Sequence, residues 1–185
     1  MSWSIDTVHS HVGFSVKHMM VSTVRGQFKT YAATLRLDPK DFTKSKFEGE
    51  IDVASIDTGN ADRDNHLRSN DFFDAANHQK IIFKSTGIEL KDAGEYVVHG
   101  DITIRGVTKP INLDVEFHGT SKNPYGKTVA GLSARGEINR KDFGVNFNAV
   151  LEAGGVALSD KVKLEIDVEA IAAEDAVATA PSATA

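Results

Sequence analysis

The capacity of this chain for chemistry starts with its histidines. His9 and His11 stand two positions apart, which places both imidazoles on one face of an extended segment, and His18 follows as the third ligand a metal site would need. His18, however, shares parity with Phe14 and Val16, whereas His11 has the opposite parity, so a straight strand holds the two apart. An ordinary role fits better: His9 and Ser10 make polar contacts near a strand start, and His18 caps the other end. No metal is expected, and a histidine-based metal protein or enzyme stands as the alternative. His66, His78, His99 and His118 are scattered singly and read as surface or hydrogen-bonded groups.

Other chemistries find less support. The chain has no cysteine, which removes thiolate nucleophiles, disulfides and cysteine zinc sites. It has no Gly-x-Ser-x-Gly elbow and no His-Glu-x-x-His. Gly154-Gly155 lacks the Lys-Ser/Thr that follows in a phosphate loop, and Asp62/Asp64 and Asp71/Asp74 lack the oxygen-ligand ladder of a calcium loop. These acids read as solvated helix caps, and no catalytic residue is expected. The most distinctive segment is Arg63-Asp64-Asn65-His66-Leu67-Arg68-Ser69-Asn70-Asp71-Phe72-Phe73-Asp74, which combines charge with two adjacent aromatics. It suits the mouth of a barrel, with Leu67, Phe72 and Phe73 pointing into the bore and Arg63 and Arg68 pairing with acids or meeting a polar ligand group. A purely structural plug with Arg63 satisfied internally fits equally well.

The elements that must position these residues follow a period of two. Apolar side chains alternate with polar ones along Val12-Phe14-Val16, Val24-Gly26-Phe28, Phe47-Gly49-Ile51-Val53, Ile81-Phe83-Ser85 and Tyr96-Val98-Gly100-Ile102-Ile104. The same alternation continues in Ile111-Leu113-Val115-Phe117, Ala130-Leu132-Ala134-Gly136-Ile138 and Val162-Leu164-Ile166-Val168. About eight strands result, joined by short connections such as Lys91-Asp92-Ala93-Gly94, so sequential antiparallel hairpins are implied. No long amphipathic helix supplies a covering layer; the one helical segment, over 61–74, is short and polar and starts near Asn60 or Asp62. Open edges invite aggregation, which favours an all-β, up-and-down barrel over the alternative two-sheet sandwich. The barrel takes residues 1–171, and residues 172–185, small and aperiodic with one proline, read as a disordered tail.

Composition narrows the partners. With 21 Lys and Arg against 26 Asp and Glu, the net charge of −5 argues against nucleic acid. No apolar run approaches the ~20 residues of a membrane span. The start, Met1-Ser2-Trp3-Ser4-Ile5-Asp6, lacks a basic region followed by an apolar one, so the chain as written reads as cytoplasmic, or periplasmic if it has been trimmed.

Taken together, Ile5-Asp6 with His9-Ser10, Phe14-Ser15-Val16-Lys17-His18, Ser55-Ile56-Asp57-Thr58-Gly59-Asn60, Arg63-Asp64-x-His66-Leu67 and Asp71-Phe72-Phe73-Asp74 carry a resemblance. In the second half, Gly100-Asp101-Ile102-Thr103-Ile104-Arg105-Gly106-Val107-Thr108-Lys109-Pro110, Ile138-Asn139-Arg140-x-Asp142-Phe143-Gly144 and Ser159-Asp160-x-Val162 agree with it. The chain resembles the YceI-like family of polyisoprenoid-binding proteins over about residues 3 to 170. It departs at Asn77-His78-Gln79-Lys80, where the family often has a proline.

The resemblance implies an extended, lipocalin-like antiparallel barrel of eight strands with a short helical segment at one mouth. It also implies a homodimer, and a tunnel that takes a long amphiphile such as a polyisoprenoid or isoprenoid quinone, with binding, storage or transport rather than catalysis. No cofactor is expected apart from the bound isoprenoid-type lipid. On parity, the tunnel is lined by Phe14, Val16, Phe28, Ile51, Leu67, Phe72, Phe73, Phe83, Ile102, Leu113, Leu132, Phe143 and Val162, with Arg63, His66 and Arg140 as head-group candidates. The small row Ala130, Ala134 and Gly136 is expected to keep one wall of the bore open. A barrel filled by its own side chains, serving as a stress-responsive interaction module, is the third reading.

Overall fold

The computed structural model describes residues 2–152 and 154–173. Ten strands occur in the order β1 (Ser2–His18), β2 (Ser22–Phe28), β3 (Tyr31–Arg36), β4 (Lys46–Asp52), β5 (Ile56–Asp57), β6 (Lys80–Asp92), β7 (Glu95–Ile104), β8 (Val107–Lys122), β9 (Thr128–Asn139) and β10 (Leu158–Ala172). The helix α1 (Ala61–Arg68) lies between β5 and β6. Antiparallel pairing runs β10-β9-β8-β7-β6-β4-β3-β1, and β1 returns to β10, so eight strands close a ring, from which β2 and β5 branch at β1.

The expected strand count holds, but its membership differs. In Tyr31-Ala32-Ala33-Thr34-Leu35-Arg36 the apolar row Tyr31, Ala33 and Leu35 is blurred by Ala32 on the other face, so the segment does not stand out by alternation, yet it is β3 and a full member of the ring. β2 and β3 both pair with the same edge of β1, β2 beside its second half and β3 beside its first. They are one line broken at residues 29–30, where the amides of Lys29 and Thr30 turn to the carbonyl and hydroxyl of Ser55.

The long strand β1 serves both ends of the barrel because it contains a bulge. Asp6 pairs with Glu169 and His11 with Asp167, so five steps on β1 face two on β10. The excess of three residues is odd and reverses the side-chain parity. Trp3 and Ile5 therefore face inward before the bulge, and Val12, Phe14 and Val16 face inward after it.

The two ends are finished differently. At one, the 3-10 turn Phe42–Lys44 drops Phe42 into the bore, 2% exposed, with ring centroids 4.4 Å from Tyr96, 4.9 Å from Phe117 and 5.7 Å from Phe47. At the other, α1 and an irregular strap, residues 144–152 and 154–157, cross the mouth. The Asn60 side chain caps α1 by accepting from the Arg63 amide at 2.9 Å, and Asp62 and Asp64 in the first turn complement the helix dipole. The helix ends at Arg68, earlier than the expected residue 74, because the Ser69 hydroxyl takes the His66 carbonyl at 2.6 Å and the chain turns.

Ala172 is a second boundary correction. It is the last residue of β10, pairs with Trp3 and is 3% exposed, so it belongs to the core rather than to the tail. The rest of the expected tail, 174–185, lies outside the described residues.

Candidate functional site

Between the Phe42 plug and the α1 end, the barrel encloses a cavity of about 470 Å³. That volume falls within the ~300–1,000 Å³ range of small-molecule sites. Every side chain expected in the tunnel lines it: Ile51, Phe83, Ile102, Leu113 and Leu132 from β4 and β6 to β9, and Phe14, Val16, Phe28 and Val162 from β1, β2 and β10. Leu67 on α1, Phe72 and Phe73 after it, and Phe143 before the strap complete the set near the mouth. Phe28 links the strand and helix groups, with its ring 5.6 Å from Phe14 and 6.0 Å, edge on, from Phe73.

The wall also holds residues that were not singled out. Ile81, Ile104, Ile111, Val115, Ile138, Leu164, Ile166 and Val168 lie on the inward rows of strands already identified, so parity was enough to find them. Tyr31 and Leu35 enter with β3, and Val145 and Phe147 with the strap, two segments outside the expected strands. One expectation about the wall is corrected. Ala134 lines the cavity, but the inward space at Gly136 is taken by Leu113, whose Cδ2 lies 2.6 Å from where a Cβ would stand. Ala130, 1% exposed, belongs to the packed core.

The polar candidates gather at the mouth, each already engaged. Arg63 donates from Nε to the Thr58 hydroxyl at 2.7 Å and from Nη2 to the Thr58 carbonyl at 2.8 Å. Buried Asp64 accepts from the Thr58 amide and hydroxyl, so both side chains tie α1 to the turn before it. His66 pairs through Nε2 with Asp71 at 2.8 Å and sets its ring edge against Phe72 and Phe147. Arg140, 5% exposed, donates from Nε to the Ser159 carbonyl and from Nη1 to the carbonyls of Val145 and Phe147. Its first task is therefore to hold the strap. Nη2 has no hydrogen-bond partner and lies 3.6 Å from Asp160. Burial pushes the guanidinium pKa below its ordinary value.

Sequence reasoning missed the residue that fixes the aromatic pair. Arg105 and Gly106 have φ of 51° and 75° and form the tight turn between β7 and β8. From there the Arg105 guanidinium reaches the carbonyls of Asn70 and Phe72 and the Asn70 amide oxygen. The available signal was the Arg105-Gly106 dipeptide between two alternating runs, a two-residue hairpin turn that carries a cation.

The histidines do not assemble as a metal set. His18 lines the cavity mouth, while the His11 ring lies over Gly13. His9 pairs with Asp6 at 3.0 Å on the bulge. Among the described residues, the only grouping with metal-ligand spacing is Asp6, His9 and Glu169, whose ligand atoms lie within 4.8 Å of one another. The bond between His9 and Asp6 raises the His9 pKa and lowers that of Asp6.

The model of the YceI-like domain matches residues 3–170. A UPF0312 protein of Staphylococcus epidermidis is 46% identical over 168 residues, which cover 90% of this chain and 95% of that protein. The crystal structure of the Campylobacter jejuni YCEI protein superposes with a TM-score of 0.74 at 36% identity, covering 84% of this chain and 89% of that one. A polyisoprenoid binding domain from Saccharophagus degradans shares the fold, with a TM-score of 0.66 at 14% identity over 92% of this chain and 98% of that one. The family pattern spans the barrel from Trp3 to its last strand and a relative of nearly equal length shares almost half its residues, so the chain belongs to the YceI-like family.

Proposed function

We propose that the protein binds a long-chain amphiphile, a polyisoprenoid or an isoprenoid quinone, inside the barrel and stores or carries it without catalysis. The observation that carries this reading is the cavity of about 470 Å³, walled mostly by apolar side chains, with Arg63, His66 and Arg140 among its lining at the α1 mouth. Withdrawing hydrocarbon from water into such a wall is favourable by roughly 25 cal/mol per Å², so each added isoprene unit that fits strengthens binding. The tail lies against Phe14, Phe83, Ile102 and Leu132, and the head group stays near Arg63, His66 and the Nη2 of Arg140. Binding of this kind at the family level is supported by the structural neighbour named for polyisoprenoids.

The test is native mass spectrometry with organic extraction of untagged protein from its own host. One isoprenoid lipid per chain is the expected result, and the mass of the intact complex gives the oligomeric state, a homodimer in this reading. If no lipid co-purifies and added prenyl lipids leave the melting temperature unchanged, the reading is overturned. Zinc at one per chain, lost in His9→Ala, would move function to the Asp6, His9 and Glu169 group instead.

A further inference from the structure

Ten large hydrophobic side chains among the described residues are exposed, and six of them, Met19, Met20, Val21, Phe147, Val150 and Val156, sit on two neighbouring segments at the α1 mouth. The first segment is the turn between β1 and β2; the second is the strap. They are joined by the Met19 amide, which donates to the Ala157 carbonyl at 2.8 Å, and beside that bond His18, Ala157, Leu158 and Phe147 line the cavity. The exposed tips are therefore continuous with the apolar interior. Met19 and Met20 both hold positive φ, 56° and 61°, a conformation uncommon for side chains without hydrogen-bonding groups. Met20 and Val21 project at 70% and 84% exposure, and Val150 at 86%.

Charge is distributed to match. A quarter of the chain is Asp, Glu, Lys or Arg, yet residues 18–24 contain none and residues 143–159 contain only Glu152. We propose that this rim is a docking surface for a lipid bilayer, inserted so that cargo passes between membrane and cavity without crossing water. The proposal rests on the lipid-cargo reading above and extends it to the route of loading. A cargo whose hydrocarbon belongs in a bilayer must enter through a mouth, and the opposite end is closed by Phe42. Two projecting apolar turns suit shallow insertion into the boundary between head groups and acyl chains. They do not suit a second copy of the chain, because a stable protein interface engages roughly 20–30 residues on each side. The net charge of −5 directs the choice to an uncharged surface rather than an anionic one.

The experiment is co-sedimentation of the lipid-free full chain with vesicles of pure phosphatidylcholine, beside a solution titration with a short prenyl alcohol as cavity probe. Wild-type protein is expected to sediment with the vesicles. The triple variant Met20→Ser, Val21→Asp, Val150→Asp is expected to lose at least tenfold in partitioning while keeping wild-type probe affinity, which also shows that it folds. Leu90→Asp removes an exposed apolar side chain, 63% exposed on the β6 strand and not among the cavity residues, and is expected to change neither readout. Ala134→Phe is expected to lose the probe and still sediment, so failure of the cargo reading is distinguishable from failure of the docking surface. Wild-type protein that stays in the supernatant, or a triple variant that sediments equally, would overturn the proposal. So would a dimer that the triple substitution converts to monomer, because the rim would then be covered by a second copy.

Discussion

Arg140 illustrates how a residue at the mouth serves the fold before it serves a ligand. Three of its bonds go to carbonyls of Val145, Phe147 and Ser159, groups on the strap and at the start of β10 that would otherwise lack donors. Replacing it with methionine keeps much of the volume but strands those three acceptors, while Asp160 keeps its pair with Lys141 at 3.1 Å, so Arg140→Met is expected to lose about 3 kcal/mol in urea unfolding. Lysine would not rescue it, because a point charge cannot reproduce a planar fork that reaches several carbonyls. At the bulge, Asp6 and His9 make a second residue-scale prediction. Bonding to Asp6 raises the His9 pKa above 6.5, so the contribution of His9 to stability is complete below pH 6.5 and is lost as pH rises through the higher folded value. The Asp6 pKa is lowered below 3.8, so its share is present above pH 3.8 and is lost as pH falls through the folded value. Asp6→Asn is expected to lower the His9 titration midpoint, read from the imidazole proton shifts by NMR.

At the scale of elements, glycines opposite aromatics decide how strands approach. The Phe14 ring occupies the space above its cross-strand partner Gly26, and the Phe83 ring reaches diagonally over Gly100, whose own partner is Ser85. Gly26→Val drives a branched side chain into the Phe14 ring beside Phe28, and a loss of about 2 kcal/mol in chemical denaturation is expected from overpacking. The helix makes a separate test: Asn60→Ala removes the bond to the Arg63 amide and is expected to lower stability by about 1 kcal/mol. The elements also explain what sequence could reveal. Strands that keep one apolar row, such as β8 with Ile111, Leu113 and Val115, declare their inward face by parity alone. β3 does not, because Ala32, Ala33 and Thr34 give no contrast and its place depends on pairing with β1 and β4. The bulge in β1 was hidden for a related reason: it reverses parity halfway along, so Trp3 and Phe14 seem to face opposite sides until the β10 register is known. Arg140 was legible as a cation near the mouth, but its carbonyl partners lie on an aperiodic strap that only the fold brings within reach.

For the molecule as a whole, barrel closure and an internal void pull against each other. The β1 and β10 seam closes the eight-strand ring, and the Phe42 stack gives one end a solid core. The 470 Å³ between that core and α1 contributes no packing in the empty protein, because its lining atoms lack neighbours on one side. A binding protein accepts this deficit, since a ligand restores the missing contacts. At a free ligand concentration 100 times Kd the bound state gains about 2.7 kcal/mol, which for a chain of this size is roughly a 5–10 °C rise in melting temperature. Ala134→Phe separates the two roles of the void. The new ring extends from β9 into the open wall, where it finds space rather than a packed core, so the empty variant is expected to melt no lower than wild type. With prenyl lipid present, wild type is expected to rise by that interval and Ala134→Phe to stay within about 1 °C of its own empty value. An equal rise in both proteins would place the lipid somewhere other than the bore, because a ligand cannot occupy volume that a phenyl ring already fills.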